Sequence, residues 1–370
     1  MTEISIPLVN LHRQFLEVKD EIERGIAAVL ASQKFIKGPA VRSFETAWLA
    51  AIGARHGSGC SNGTAALSIA LEALGIGPGD EVVTSAHTFF ATGEAIRHVG
   101  ATPVFADIER ASYTLDPTAV EAAITPRTRA ILPVHIYGAA ADMDTLSAIA
   151  ARHGLKVVED AAQAHLATLN GRFLGALGDA GCFSFYPGKN LGAYGDAGFI
   201  VVRDATVVDR VSRLIDHGRR SKYVHDIVGY NHRMDDLQAA VLEAKLAHLP
   251  AWTTRRRSLA ALYDERLKAH GFKVLEPRAG SLPAYHLYVV ETSNREDAME
   301  AMRRQGIDTG VHYPVPLHRQ PAFDGLGYGT GSLPVTETAA DRVMSLPLCG
   351  SLTEDEAHRV CDAFLGTARP

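Results

Sequence analysis

The sequence predicts an α/β fold: a mostly parallel sheet covered by helices on both faces, followed by a smaller α+β portion. Three observations carry this. From about Gly57 to Val202 short apolar β runs alternate with helical segments, the pattern of parallel strands joined by helical crossovers. Two of the amphipathic stretches between them, "TAALSIALEALG" and "MDTLSAIAARHG", end at a glycine, the usual C-terminal stop of a helix. After Val202 helical patterns dominate through His270, and a shorter α+β portion follows.

Taken in order, helical patterns over 14–31 and 39–52 open the chain, the first apolar at Phe15, Val18, Ile22, Ile26, Val29 and Leu30. The β runs are 81–85, 103–107, 130–136, 156–160, 181–186 and 198–202. "GIGPGDE" is a turn, not a dinucleotide fingerprint, because it follows a helix and precedes a strand. The longest later helices are expected over 235–249 and 254–269. "AYHLYVVET" then reads as a strand, 295–305 as a helix, "TGVHYP" as a strand, and two helices close the chain. A loose boundary near Pro250 divides residues 1–250 from 251–370.

With 370 residues, 46% apolar and 21% charged, the chain has ordinary globular composition and room for two domains. A net charge of −5 argues against a dedicated nucleic-acid binder. The basic clusters "HGRRSK" and Arg255-Arg256-Arg257 read as solvated faces or loops. Cys60, Cys182, Cys349 and Cys361 show neither a CxxC pair nor metal-ligand spacing, so they read as reduced thiols and no metal is expected. No signal-peptide pattern or membrane-length apolar run occurs, and the expectation is a soluble, cytoplasmic protein.

Three places could carry chemistry. Gly63-Thr64 opens a helix behind Ser61 or Asn62, and the free N–H groups of such a start suit a phosphate, though an ordinary capped helix reads the same way. Asp160 ends an apolar strand, at the edge where open α/β sheets place their sites, with Gln163 in reach if a helix follows. A carboxylate there needs a cationic or N–H partner to offset desolvation. Lys189, in "FSFYPGKNLGAYGDAG", is not a Walker lysine, since six residues separate Gly181 from Gly188 and Asn190 follows it. Burial would favour its neutral amine, the form that attacks an aldehyde; a surface lysine in a glycine-rich loop is the plainer alternative. Phosphate cradle, carboxylate and amine together match pyridoxal 5'-phosphate, with Phe89 in "SAHTFFATGEAI" available to stack on its ring.

The blocks "SNGTAALSIALEALGIGPGDEVVTSAHTFFAT", "VVEDAAQAH", "FSFYPGKNLGAYGDAG", "GYNHRMDDLQAAVLEAKL" and "GIDTGVHYPVPLHRQPAF" span nearly the whole chain. In them the sequence resembles the DegT/StrS family of fold-type I pyridoxal-phosphate enzymes, the nucleotide-sugar aminotransferases. The resemblance implies a seven-stranded large domain, a smaller C-terminal α+β domain, and a homodimer with shared active sites. It implies that Lys189 is the Schiff-base lysine, Asp160 the acid under the pyridine nitrogen, and Gln163 the amide on the ring's hydroxyl side. Gly63, Thr64 and Ser184 match phosphate-binding positions, Phe89 the stacking aromatic, and Asn231 an asparagine reaching the phosphate from the neighbouring subunit. Arg233, His312 and Tyr313 match substrate-contacting positions, also across the dimer interface.

"GDAG" at Gly195–Gly198, where many members carry "GEGG", together with "KYVHDIVGYN" looks like the branch acting at C-3 of the sugar, whereas "GYNHRM" sits closer to the C-4 branch. Lys189 excludes the histidine-bearing dehydratase subgroup. The implied reaction is a ping-pong transfer of an amino group from L-glutamate to a nucleotide-linked keto-sugar. A cyclitol-ketone aminotransferase is the alternative enzyme, and a non-catalytic regulator of the same fold the alternative of another class.

Overall fold

The computed structural model describes residues 5–370. Seven strands form the main sheet: β1 (Gly57–Cys60), β2 (Glu81–Ser85), β3 (Thr102–Ala106), β4 (Thr128–Leu132), β5 (Lys156–Asp160), β6 (Ala180–Ser184) and β7 (Gly198–Val202). Their spatial order is β1-β7-β6-β5-β4-β2-β3. Only β7 runs against the others, pairing antiparallel with both β1 and β6. Side-chain alternation sends Val82, Leu132, Val158, Cys182 and Ile200 into one buried cluster, and Val83, Ile131, Val157, Phe183 and Phe199 into a second on the opposite face. This two-faced burial is why the strands read as continuous apolar runs.

Helices cover both faces. They are α1 (Leu11–Glu17), α2 (Lys19–Ser32), α3 (Pro39–Ala51), α4 (Gly63–Ala73), α5 (Phe90–His98), α6 (Pro117–Ala123), α7 (Met143–His153), α8 (Ala205–Leu214), α9 (Asp236–Leu246) and α10 (Leu249–Lys268). On one face Trp48 of α3 meets Phe183 edge-on, with ring centroids 5.0 Å apart. On the other, α4 is alanine-rich and buries Ala65, Ala66, Leu67, Ile69, Ala70, Leu71 and Ala73, so it lies close against the sheet. A two-stranded antiparallel sheet follows, β8 (Tyr288–Glu291) with β9 (Val343–Leu346), flanked by α11 (Arg295–Arg304), α12 (Pro334–Arg342) and α13 (Glu354–Leu365).

Several expectations need correction. One helix over 14–31 becomes two, because Val18 leaves helical geometry (φ −128°, ψ 21°) to bury itself with Ile22, Val241 and Trp252. Glu17 there accepts a hydrogen bond from Trp252 Nε1 at 2.8 Å. β1 is not foreseen from "GSGC"; its glycine serves close packing, since a Cβ on Gly57 would lie 2.5 Å from Phe199 and 2.6 Å from the Ile200 carbonyl. The run 130–136 stops at Leu132, before Pro133, and turns through a short 3-10 segment, Ile136–Gly138. "TGVHYP" is not a strand: only Gly310 pairs, with Ser345, before the chain leaves the sheet edge. β9, between the two closing helices, is a further strand that the pattern does not announce.

The Arg255–Arg257 cluster is not a solvated face. Arg256 is buried, and its Nη1 donates to the carbonyls of Tyr285, His286 and Leu348. Arg257 donates to the Pro283, Leu166 and Leu282 carbonyls. Backbone acceptors, rather than water or carboxylates, satisfy both guanidinium groups. All four cysteines are buried and free. Among the described residues, no helix is long and apolar enough to cross a membrane.

Glu159, beside Asp160 on β5, points to the opposite face and is fully buried. It accepts from the N–H groups of Gly175 (2.7 Å), Leu177 (2.7 Å) and Gly178 (2.6 Å), and its Oε2 lies 2.9 Å from His135 Nε2. This carboxylate ties the 175–178 loop to the centre of the sheet. Glu159→Ala would orphan four buried donors, and it should cost about 3–5 kcal/mol in denaturant unfolding.

Candidate active site

The C-terminal ends of β1, β2, β5 and β6 meet on one edge of the sheet, and β7, running the other way, begins there. The turn from β1 into α4 is capped by Asn62, whose side chain accepts from Ala65 N at 2.8 Å. Ala66 N bonds the Asn62 carbonyl. The N–H groups of Gly63 and Thr64, earlier in the same turn, have no acceptor among the described residues. Ser184, ending β6, lies against them: a Cβ on Gly63 would sit 2.7 Å from Ser184 Cβ, so only glycine permits this approach. Two free N–H groups at a helix start and a hydroxyl beside them form a cradle for an anion.

Asp160 is 6% exposed. Its Oδ2 accepts from Thr92 Oγ1 at 2.8 Å and its Oδ1 from Ala162 N at 3.2 Å. Burial raises its carboxyl pKa, while Thr92, the Ala162 N–H, Lys189 and His135 pull it back. No helix follows Asp160; the chain runs through successive turns to Leu166, whose φ of 58° breaks the helical path. Gln163 still reaches the site. Its Oε1 accepts from Tyr137 N at 2.6 Å and its Nε2 donates to the Tyr313 hydroxyl at 3.4 Å.

Lys189 lies past the end of β6, in a turn where its N–H bonds the Tyr186 carbonyl. Burial lowers its amine to about 8, against the opposing pull of the Asp160 charge. The loop is held from two sides. Asn190 donates to the Ala284 carbonyl at 2.9 Å, and the buried Lys245 of α9 donates to the Gly192 carbonyl at 2.7 Å. Burial, with the Lys189 charge adding to it, holds His165 down at about 3 and His312 at about 4, and burial holds His87 at about 4. These three imidazoles are neutral at physiological pH.

Phe89 precedes α5 as its N-cap and is 56% exposed, its ring 5.7 Å from that of Tyr313. Expected across a dimer interface, Tyr313 and His312 join Gln163 and Phe89 within one chain. Tyr137 secures them: its hydroxyl donates to the His312 carbonyl at 2.5 Å and lies 2.6 Å from His87 Nε2. Asn231 and Arg233 are not brought to Lys189. Asn231 bridges Asp216, and Arg233 pairs with Asp216 at 2.9 Å and bridges Cys60.

Thr92, Thr88, Tyr137 and His87 belong to the site without having stood out in the sequence. For the threonines no local signal exists, because only the tertiary contact with Asp160 reveals their partner. Nor does one exist for Tyr137, because a tyrosine at φ 61° is set by tertiary contacts. In the cofactor-free protein, an amine-directed reagent should label Lys189 with a midpoint near pH 8, rising with pH. Asp160→Asn removes the charge that raises this amine, so its midpoint should fall below 8. Peptide mapping at graded pH checks both, and a midpoint near the ordinary lysine value of about 10.4 refutes them.

A model of the DegT/DnrJ/EryC1/StrS aminotransferase family matches residues 17–365. The chain is 45% identical over 97% of its length to a "Pleiotropic regulatory protein" of Geobacillus stearothermophilus, covering 97% of that protein. It is 43% identical to a UDP-N-acetyl-3-dehydro-alpha-D-glucosamine 3-aminotransferase of Acidithiobacillus ferrooxidans, over 98% of each chain. With a dTDP-3-amino-3,4,6-trideoxy-alpha-D-glucose transaminase of Streptomyces venezuelae it shares 45% identity, over 97% of this chain and 95% of that one. The crystal structure of S. venezuelae DesV in complex with a ketimine intermediate superposes with a TM-score of 0.95 at 45% identity, over 98% of each chain. The fold is therefore that of the aminotransferases in this group, and the chain belongs to the DegT/DnrJ/EryC1/StrS aminotransferase family.

Proposed function

We propose that the protein is a pyridoxal 5'-phosphate-dependent aminotransferase that moves an amino group from L-glutamate to C-3 of a nucleotide-linked keto-sugar. The observation that carries it is a lysine amine of lowered pKa electrostatically coupled to a buried aspartate beside a helix N-terminus with free N–H groups. That donor set fits the cofactor. Gly63, Thr64 and Ser184 would hold its phosphate, Asp160 its pyridine nitrogen, Lys189 its aldehyde and Gln163 the ring's hydroxyl side, with Phe89 against the ring. When bound, the cofactor supplies an electron sink for the negative charge left by loss of a proton.

The chain's own residues do the rest. Lys189 Nζ, whose amine is lowered to about 8 and so is partly neutral at physiological pH, accepts the α-proton of the amino donor in its neutral form and as an ammonium can return it. The Asp160 anion stabilises positive charge at the ring nitrogen. The C-3 assignment is supported by the names of the Acidithiobacillus and Streptomyces relatives, both 3-amino transferring. A second copy completing the site is supported by Asn231 and Arg233, which find Asp216 and not Lys189 within the chain, and by the exposure of Tyr223 (81%) and Val228 (92%) nearby. The division near Pro250, where α10 begins, belongs to the same reading.

The name of the Geobacillus relative favours a second reading, a regulator without catalysis. A visible-range spectrum before and after L-glutamate separates the two: cofactor colour that shifts supports the enzyme, and colour indifferent to every amino donor supports the regulator. Borohydride treatment should leave a pyridoxyl adduct on Lys189, and Lys189→Ala should lower kcat by about a thousandfold or more. Running the reaction backwards with dTDP-, UDP- and GDP-linked amino sugars identifies the nucleotide. Neutralising Arg219, Arg220 and Lys222 together should raise KM for the sugar nucleotide about tenfold, each diphosphate contact being screened by water; an unchanged KM removes them from the site.

A further inference from the structure

Thr88 lies on the turn from β2 into α5 and Thr92 in the first turn of α5, on either side of Phe89 and Phe90; both are buried, Thr92 directly beside Asp160. Thr92 Oγ1 is 2.8 Å from Asp160 Oδ2 and 2.9 Å from Thr88 Oγ1. An ionised carboxylate only accepts, so the single Thr92 proton is committed to Asp160. In the second contact Thr92 must then accept, and Thr88 donates. The chain of donation runs one way, from Thr88 through Thr92 to Asp160, and it is satisfied in this order when Asp160 is an anion. The other oxygen is held by Ala162 N, from a different segment, so the carboxylate plane is fixed at both ends. The Thr92 hydroxyl is spent wholly on these two contacts. It does not bond its own helix's backbone, the usual resort of a buried helical threonine.

We propose that Thr92, backed by Thr88, is a positioning residue that orients the Asp160 carboxylate toward the cofactor's ring nitrogen and preserves it as an anion, a role that rests on the cofactor reading above. Losing the Thr92 hydroxyl leaves a buried charge short of one donor and leaves Thr88 without its acceptor. Both effects fall on the electron-withdrawing power of the ring, and neither touches the donor's binding groups. Thr92 should therefore act on the rate of proton removal and on cofactor retention, with little effect on donor affinity.

The test compares wild-type holoenzyme with Thr92→Val, Thr92→Ser and Thr88→Val. In Thr92→Val the half-reaction with L-glutamate should slow about 10- to 100-fold while KM for glutamate changes less than about threefold, the loss expected for a hydrogen bond to a charged group. Cofactor retention on dialysis should weaken, and the visible absorbance should change. Thr92→Ser should recover wild-type behaviour to within about threefold, and Thr88→Val should fall between the two. A Thr92→Val protein with wild-type rate, spectrum and retention overturns the role, as does a Thr92→Ser protein as impaired as Thr92→Val, which would mean that packing alone matters. If Thr92→Val fails to fold, a Thr88→Val protein indistinguishable from wild type overturns it instead. A wild-type protein that takes up no cofactor, with no adduct at Lys189, overturns the cofactor reading and this role with it. A coloured, glutamate-responsive wild type beside a Thr92→Val protein that matches it in every readout overturns the role alone.

Discussion

A carboxylate buried at the end of a central parallel strand is the constraint on which the rest of the site depends. Asp160 cannot stay charged there without donors. One is local, the Ala162 N–H two residues on; the others come from distant parts of the chain, Thr92 from the first turn of α5 and the field of Lys189 from the loop after β6. The parallel sheet makes this possible, since it brings several loops to one edge. The antiparallel β7, which follows the Lys189 loop, adds its own start to that edge and is held between β1 and β6, packed on α4.

Holding an amine beside that carboxylate is the second requirement. A lysine in a glycine-rich loop would ordinarily sample water, yet its neighbours are pinned by groups from elsewhere. Asn190 bonds the Ala284 carbonyl, and the same segment, residues 284–286, is gripped by Arg256 and by the backbone of Tyr137 and Gly138. Lys245 reaches Gly192 from α9 and lies over the Tyr194 ring at 4.2 Å. The C-terminal part of the chain thus contributes rigidity to a loop it does not contain. Tyr137 extends the same scaffold to His312 and, through Gln163, to Tyr313.

Much of this is legible in the sequence, for definable reasons. Strand runs with both faces buried are apolar throughout, so β2 to β7 announce themselves, while β1, with two glycines in four residues, does not. Gly63, Thr64, Asp160, Gln163 and Lys189 stand out because each sits near an element end or in a glycine-rich turn, where local pattern is informative, whereas Ser184 is reached only through the family resemblance. Arg256 is misleading because a helical basic run looks solvated until the carbonyls it serves are seen. Thr88 and Thr92 pass unremarked because hydroxyls around the start of a buried helix carry no local sign of a partner.

By itself, the sequence determined the alternation of strands and helices from β2 to β7, the edge of the sheet where chemistry could occur, and the residue types available there, since these follow from periodicity and from glycine and cap positions along a single segment. The tertiary structure alone decided that Thr92 serves Asp160, which carbonyls fix the Lys189 loop, and that Tyr313 meets Gln163 and His312 meets Tyr137 within one chain. Those contacts join residues far apart along the chain, and burial acts through such contacts to set charge and proton affinity; no periodicity within one segment encodes them.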